Sequence, residues 1–397
     1  MQRRQFLRGS AALLSAAPLG TVLAAEAPAF RGNSAARLIS DSRELAPLVA
    51  SPDRIIEMNV CTRPFRAQGP RIELERIGRK QVVHNYGHGG SGWSLSWGTG
   101  LLATQMAQSA GRQQIAIVGC GAIGLTTAIV AQQAGLGVTI YARERPPYVR
   151  SQFATGSWTP DSRICSSEFA PAFAERWEAM ARYSFRRFQS LLGVAGDPIE
   201  WRDMYSLSDN PPGTPAPHGE SSEPEYPDFE DTLISDLTPQ AVDLSGLSHP
   251  FPAPYVRRRP ALLFNIAGYS RLLLEEFVAA GGRIETYTLN DRSDFAAIEE
   301  RTIINCTGYG ARALLGDDTI IPVRGQTCKL IPQPEVHYGF NYGSRKVSVY
   351  PRRDGLLVQA QAEGDFNNDK ENLDPAESIS AVERLAEIVH AMKIKGA

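Results

Sequence analysis

The 397-residue chain is poor in the side chains that specialise a protein for metal or disulfide chemistry, with five cysteines and six histidines. Cys61, Cys120, Cys165, Cys306 and Cys328 stand singly, without a C-x-x-C pair, and an odd number cannot all be joined in disulfides. The expectation is no metal site and no essential disulfide, with Cys120 and Cys306 serving as small buried residues. A cationic surplus is also missing. Lys plus Arg number 41 against 43 for Asp plus Glu, a formal net charge of −2, so nucleic acid is not an expected partner. The one long apolar run, Ala11 to Leu23, falls well short of the roughly 20 residues a membrane span needs, so no resident span is expected. No internal repeat is visible. What is present is ordinary globular composition, 43% hydrophobic and 21% charged, in a chain long enough for two domains or one large interleaved one.

The N-terminus carries an address. Arg3-Arg4-Gln5-Phe6-Leu7-Arg8 is a twin-arginine pattern, followed by the apolar run and by small residues at Ala24, Ala25 and Ala27. Residues 1–27 therefore read as a signal peptide, with the twin-arginine export machinery as a partner and a periplasmic or secreted destination. Further on, 55–60 and 71–76 read as strands, and a glycine-dense turn from Gly87 to Gly92 leads into a helix over 93–109. Ile115–Val118 is a short buried strand that ends on Gly119-Cys120-Gly121-Ala122-Ile123-Gly124. A helix over 122–134, Gly135 and a strand at 138–141 complete a βαβ unit. Helices are expected over 168–193, 266–280 and 375–392, strands at 302–305, 347–349 and 356–361, and a polar excursion over 208–228.

A G-x-G-x-x-G run is weak alone, but this one follows an apolar strand and opens a helix, as a dinucleotide cradle requires. Gly119 permits the tight turn, Gly121 lets the backbone approach a pyrophosphate, and Gly124 lets helix and strand pack closely. At Ala122 and Ile123 the helix N-terminus offers unpaired N–H groups and the positive end of its dipole. Glu144, ending the second strand about twenty residues on, can accept both ribose hydroxyls, and Arg143 can contact a phosphate or the adenine face. Thr307-Gly308 closes another buried strand with a small-residue turn of the kind that returns to the dinucleotide in flavoprotein folds.

The segment His84-Asn85-Tyr86-Gly87-His88-Gly89-Gly90-Ser91-Gly92-Trp93-Ser94 resembles the flavin-binding signature of the D-amino-acid oxidase family, which includes D-aspartate oxidases. Thr62-Arg63-Pro64-Phe65-Arg66 is similar to its R-P-x-R stretch, residues 140–160 match it without a gap, and Arg324-Gly325-Gln326 and Tyr350-Pro351-Arg352 also fit. The order differs: the stretches that close the family's chain here precede the dinucleotide turn, so the protein resembles a circular permutant.

The resemblance implies FAD as cofactor and an α/β fold, a Rossmann-like FAD-binding domain interleaved with an α+β substrate domain on a mainly antiparallel sheet. The FAD-binding domain takes 55–162 and 256–320, the substrate domain 163–255 and 321–397. The Gly89-Gly90-Ser91-Gly92 turn is implied to direct backbone N–H groups at the isoalloxazine edge. Trp93, Ser94, Arg150, Ser151, Gly156 and Ser157 are implied further cofactor contacts. Arg63 is implied to grip a substrate carboxylate, acting with Gly90 and Ser91 in catalysis. The family's active-site tyrosines fall on Ser344 and Ser348, which leaves Tyr338, Tyr342 and Tyr350 as candidates to replace them, and Arg345 and Lys346 as residues that would favour an acidic substrate side chain. His84 and His88 have a metal-compatible spacing, although turn-stabilising hydrogen bonds fit them better. The implied activity is oxidative deamination of a D-amino acid or related amine, with O2 as acceptor and hydrogen peroxide as product. A dehydrogenase passing electrons to a quinone or carrier, and a flavin-binding protein without turnover, remain alternatives.

Overall fold

The computed structural model describes residues 45–214, 223–246, 249–361 and 364–392; the expected signal peptide, residues 1–27, lies outside them. In chain order the elements are β1 (Ile55–Phe65), β2 (Arg71–Ile77), β3 (Lys80–Tyr86), α1 (Gly92–Gln108), β4 (Gln114–Val118), α2 (Ala122–Gln133) and β5 (Gly137–Ala142). Next come α3 (Ala170–Gln189), β6 (Ile199–Ser208), α4 (Phe229–Leu233), β7 (Val242–Asp243), β8 (Tyr255–Phe264), α5 (Ile266–Ala279), β9 (Arg283–Thr286) and β10 (Thr302–Asn305). The last are α6 (Ala311–Leu315), β11 (Ile321–Leu330), β12 (Tyr338–Tyr342), β13 (Val347–Arg352), β14 (Gly355–Ala360) and α7 (Pro375–His390).

The strands form two sheets. The smaller has the order β2-β3-β10-β4-β5-β9 and is parallel except for the β2–β3 hairpin. Its central strands bury both faces, so they read as continuous apolar runs such as Ile115-Ala116-Ile117-Val118. Ile115, Ile117 and Ile304 join α1, α2, α3 and α5 in the largest core cluster. On the opposite face Ala116, Val118 and Ile303 pack on Phe295 and Leu314.

The larger sheet runs β1-β11-β14-β13-β12-β6-β8-β7 and is antiparallel apart from the parallel β12–β6 pair. One face packs under α7 through Phe340, Val349, Val358 and Leu385. Leu48 and Met392 lie in that same cluster, which brings the first and last described stretches of the chain together. The mixed α/β architecture is the expected one, a Rossmann-like sheet beside a mainly antiparallel sheet.

Two expected boundaries shift. β1, grouped by sequence with the nucleotide-binding segment 55–162, pairs with β11 over Ile55–Phe65 and belongs to the larger sheet. β8, grouped with 256–320, pairs with β6 over Tyr255–Phe264 and belongs there too. In both cases hydrogen bonding to a strand distant in sequence decides the placement. Among the described residues no helix is long and apolar enough to cross a membrane.

Candidate active site

A single cavity of about 850 Å³ runs from the glycine turn after β4 to the sheet end that carries Arg63, near the upper end of the roughly 300–1,000 Å³ usual for ligand clefts. Gly119, Gly121, Ala122 and Ile123 line one part of it, Arg143 and Glu144 another, and Gly89, Gly90, Gly92 and Trp93 a third. Arg150, Ser151, Thr307 and Gly308 border it as well. Residues scattered over 250 positions of sequence are thus gathered by strand ends and helix starts.

The dinucleotide end is built by backbone. Gly119 has φ +106°, and a Cβ there would stand 2.5 Å from the carbonyl oxygen of Cys306, so a side chain has neither the conformation nor the space. Gly124 is not a lining residue. Its Cα packs against the turn, where a Cβ would stand 2.1 Å from the Gly119 carbonyl oxygen. Gly121 caps α2 without a side-chain bond of its own, leaving the first-turn N–H groups beyond Ala122 for a ligand. Ser151 joins the two helix starts: its hydroxyl accepts from the Ala122 N–H at 3.1 Å, and its carbonyl accepts from the Trp93 indole at 2.8 Å. Arg150 sits at the rim, paired with Glu371 and 5.9 Å from the centre of the Tyr309 ring. Arg143 and Glu144 are 3.2 Å apart at the exposed end of β5.

At the other end the turn from His88 to Gly92 takes a form that corrects the expected donor set. The N–H of Gly89 donates to the Pro64 carbonyl at 2.8 Å, that of Gly90 to the Ser162 carbonyl at 2.9 Å, and that of Ser91 to the His88 carbonyl at 2.9 Å. The Ser91 hydroxyl is fully buried and donates to Ser162 O at 3.0 Å. Gly90 and Ser91 therefore have no backbone donor to spare for catalysis, because so tight a turn must satisfy its own polar groups. The N–H groups open to the cavity at this end belong to the first turn of α1, from Gly92 onward. Ser94, Gly156 and Ser157 also lie behind the lining. The Ser94 hydroxyl accepts from Thr159 N at 2.9 Å, Gly156 packs on the Phe264 carbonyl, and Ser157 forms a bridge to Leu263.

Arg63 reaches the cavity from β1. Its Nη1 donates to the Arg324 carbonyl at 2.9 Å and its guanidinium lies across Gly325, where a Cβ would meet Nη1 at 2.4 Å. The glycine of Arg324-Gly325-Gln326 thus makes room for the arginine. Following the register from Cys61–Gly325 through Thr327–Gln359 to Gln359–Ser348 puts Arg63, Ser348 and Tyr350 on one face of the larger sheet. Tyr350 is close enough to Arg63 for the cation to act on its phenol, although burial outweighs this and holds the phenol above its ordinary range. Tyr338 and Tyr342 turn away, donating to Ala46 O and to Asp209 respectively. Ser344 is tied to Asp209, and Arg345 and Lys346 occupy the exposed hairpin tip between β12 and β13, so neither cation lines the cavity.

The lining also includes residues the sequence did not single out. Cys61 and Thr62 adjoin Arg63 on β1, and Tyr309 follows the Thr307-Gly308 turn, so proximity to recognised motifs was their one signal; Tyr287 had none. All five cysteines are buried and unpaired, and burial pushes the Cys120 and Cys306 thiols up to about 12, which makes them inert. Burial brings the His88 imidazole down to about 3, so it is neutral. His84 hydrogen-bonds Glu75 rather than a metal partner. Among the described residues no group of three or more His, Cys, Asp or Glu is placed to hold a metal ion.

The cavity has features an elongated dinucleotide needs: an uncapped helix start beside a glycine turn, a carboxylate at the neighbouring strand end, and a second helix start tens of residues away on the same wall. This arrangement defines a dinucleotide-binding fold of the flavoprotein kind. The chain belongs to the FAD dependent oxidoreductase (DAO) family, whose profile matches residues 114–395, and FAD is its cofactor.

Among characterised relatives, D-amino-acid oxidase of Streptomyces coelicolor is 29% identical over 233 residues, 56% of this chain and 61% of that protein. D-amino-acid oxidase of Dictyostelium discoideum is 26% identical over 278 residues, 67% of this chain and 71% of that protein. The alignment thus leaves over a third of the Streptomyces protein unmatched. Among solved structures, glycine oxidase from Geobacillus kaustophilus aligns with a TM-score of 0.48 at 14% identity, covering 71% of this chain and 80% of that one.

Proposed function

We propose that this protein oxidises a D-amino acid or a related amine that bears a carboxylate, using bound FAD as hydride acceptor and O2 as the terminal acceptor, with hydrogen peroxide as product. The observation that carries the reading is the position of Arg63, whose guanidinium borders the same cavity as the dinucleotide turn and the start of α1. A guanidinium fork binds a carboxylate through two parallel charge-assisted hydrogen bonds, and so fixes the orientation of the adjoining Cα–H. The flavin, when bound, supplies the two-electron acceptor for that C–H bond. The protein supplies position. Arg63 anchors the carboxylate, and Tyr350 lies near it on the same sheet face, behind the cavity lining, with a phenol that burial keeps protonated. The N-terminal dipole of α1 favours the negative charge that reaches this end of the cavity. A substrate amine that arrives neutral requires no protein base.

The proposed cofactor contacts are Gly121, Ala122, Ile123, Glu144, Arg150, Ser151, Thr307, Gly308, Gly92 and Trp93. The permuted order is part of the same proposal. The family match begins at residue 114, where β4 begins, and Leu48 and Met392 share one core cluster, as a re-cut chain requires. The Arg3-Arg4 pattern supports export by the twin-arginine route to the periplasm or beyond, which cell fractionation with and without Arg3→Lys and Arg4→Lys tests. Anaerobic mixing of the purified flavoprotein with a panel of D-amino acids tests the activity: the expected result is bleaching of the flavin by at least one of them. Admitting air then separates the acceptors. Rapid recolouring with peroxide marks an oxidase, whereas recolouring only with a quinone sinks the O2 assignment.

A further inference from the structure

His84 and Asn305 are both fully buried, yet neither touches the cavity. They are neighbours in register on β3 and β10, and they connect the surface carboxylate Glu75 to Thr307. His84 Nε2 lies 2.9 Å from Glu75 Oε2, and His84 Nδ1 lies 3.3 Å from Asn305 Nδ2. Asn305 Oδ1 is 3.3 Å from the backbone N of Thr307 and 2.8 Å from its hydroxyl.

The hydrogen positions follow from the chemistry of the two ends. A backbone N–H can only donate, so the asparagine oxygen must face Thr307, and its NH2 group must face His84. Nδ1 must then be an acceptor, which places the imidazole proton on Nε2, where the Glu75 carboxylate takes it. Arg71 and Arg292 also bind Glu75; against burial, the His84 hydrogen bond and the Arg292 cation hold its carboxyl below the ordinary range, so it stays an acceptor, while burial keeps His84 neutral. Asn305 Oδ1 has no proton to give, so the Thr307 hydroxyl donates to it and keeps its own lone pairs for a donor, on a residue that lines the cavity.

We infer that His84 is a positioning residue that acts through Asn305 to hold Thr307 as a hydrogen-bond acceptor for a sugar or ribityl hydroxyl of FAD. A phosphate oxygen at that place would set lone pairs against lone pairs, so the relay also specifies which part of the dinucleotide belongs there.

The test reads cofactor affinity in the apoprotein, by quenching of flavin fluorescence, and is independent of any substrate. Two near-isosteres divide the functions of the imidazole: H84N retains an acceptor where Nδ1 stood, whereas H84Q retains a donor toward Glu75 but no acceptor toward Asn305. H84N is expected to keep the FAD Kd within about twofold, while H84Q weakens it by about five- to tenfold, the value of one hydrogen bond. T307V is expected to weaken FAD by a similar factor, and H84Q/T307V to be no weaker than T307V alone, because the effect passes through that hydroxyl. H84N as weak as H84Q, or additive losses in the double variant, would overturn the relay. Both histidine variants keep one of the two bonds, so the comparison holds if full truncation prevents folding.

Discussion

Gly89→Ala is the sharpest test of how the active-site turn is built. Gly89 has φ +54°, and an added Cβ would stand 1.9 Å from the Arg163 carbonyl oxygen and 2.8 Å from its carbon, both backbone atoms. The left-handed conformation costs a non-glycine residue about 1–2 kcal/mol, and overpacking a tight site adds about 1–3 kcal/mol. Relief by local movement is closed off, because the Gly89 N–H is bound to Pro64 O and Arg163 is itself at φ +50°. The expected loss is therefore about 2–5 kcal/mol, from about thirtyfold to several-thousandfold in the folding equilibrium. Gly92→Ala is the matched control three residues on. It lies in the first turn of α1 with nothing within 4 Å of an added Cβ, so in the apoprotein it should be neutral or gain up to about 1 kcal/mol of helix propensity. Urea unfolding of the two apoproteins compares them directly. Equal midpoints and slopes would refute the claim that this turn is held rigidly against Arg163.

Arg63→Ala should raise KM for a carboxylate substrate about ten- to 150-fold, from about 1.5–3 kcal/mol for hydrogen bonds to a charged group, while FAD stays bound; an unchanged KM removes the anchor role. Burial raises the Glu230 carboxyl to about 7, with Arg259 opposing and Asp161 adding to the rise. The folded state then holds a proton that the unfolded chain releases near 4.5, so this contribution to stability is complete below about pH 4.5 and is lost as pH rises through about 7. Glu230→Gln should flatten the profile over that window, and parallel profiles for the two proteins would contradict the assignment. Arg352→Ala should cost about 3 kcal/mol in urea unfolding, because its buried guanidinium binds Ala154 O at 2.9 Å and pairs with Asp354 at 2.7 Å; a loss below about 1 kcal/mol would show the pair to be dispensable.

Local pattern made part of this molecule legible in advance. The strand Gln114–Val118, its glycine turn and α2 carry their instructions within about twenty residues, so apolar run, glycine spacing and helix start all agree. Within the larger sheet, β6 and β8 gave no such signal. β6 reads Ile-Glu-Trp-Arg-Asp and β8 reads Tyr-Val-Arg-Arg-Arg, and their charges hide the strand period until Arg202 is seen with Glu200 and Arg259 with Asp231. β1 was read as a strand but grouped with the nucleotide-binding segment 55–162, since its partner β11 lies more than 250 residues away.

The sequence by itself determined the glycine turn after β4, which depends on residue type at short spacing, and its resemblance to the oxidase family implied FAD and the carboxylate role proposed for Arg63. Only the tertiary structure decided which groups remain free to act. Gly90 and Ser91 spend their donors on Ser162 and His88, Arg345 and Lys346 stay at a hairpin tip, and Tyr350 rather than Tyr338 or Tyr342 shares a face with Arg63. Those outcomes depend on hydrogen-bond partners and strand registers far apart in the chain, and a donor can serve a ligand only if no distant carbonyl has claimed it first.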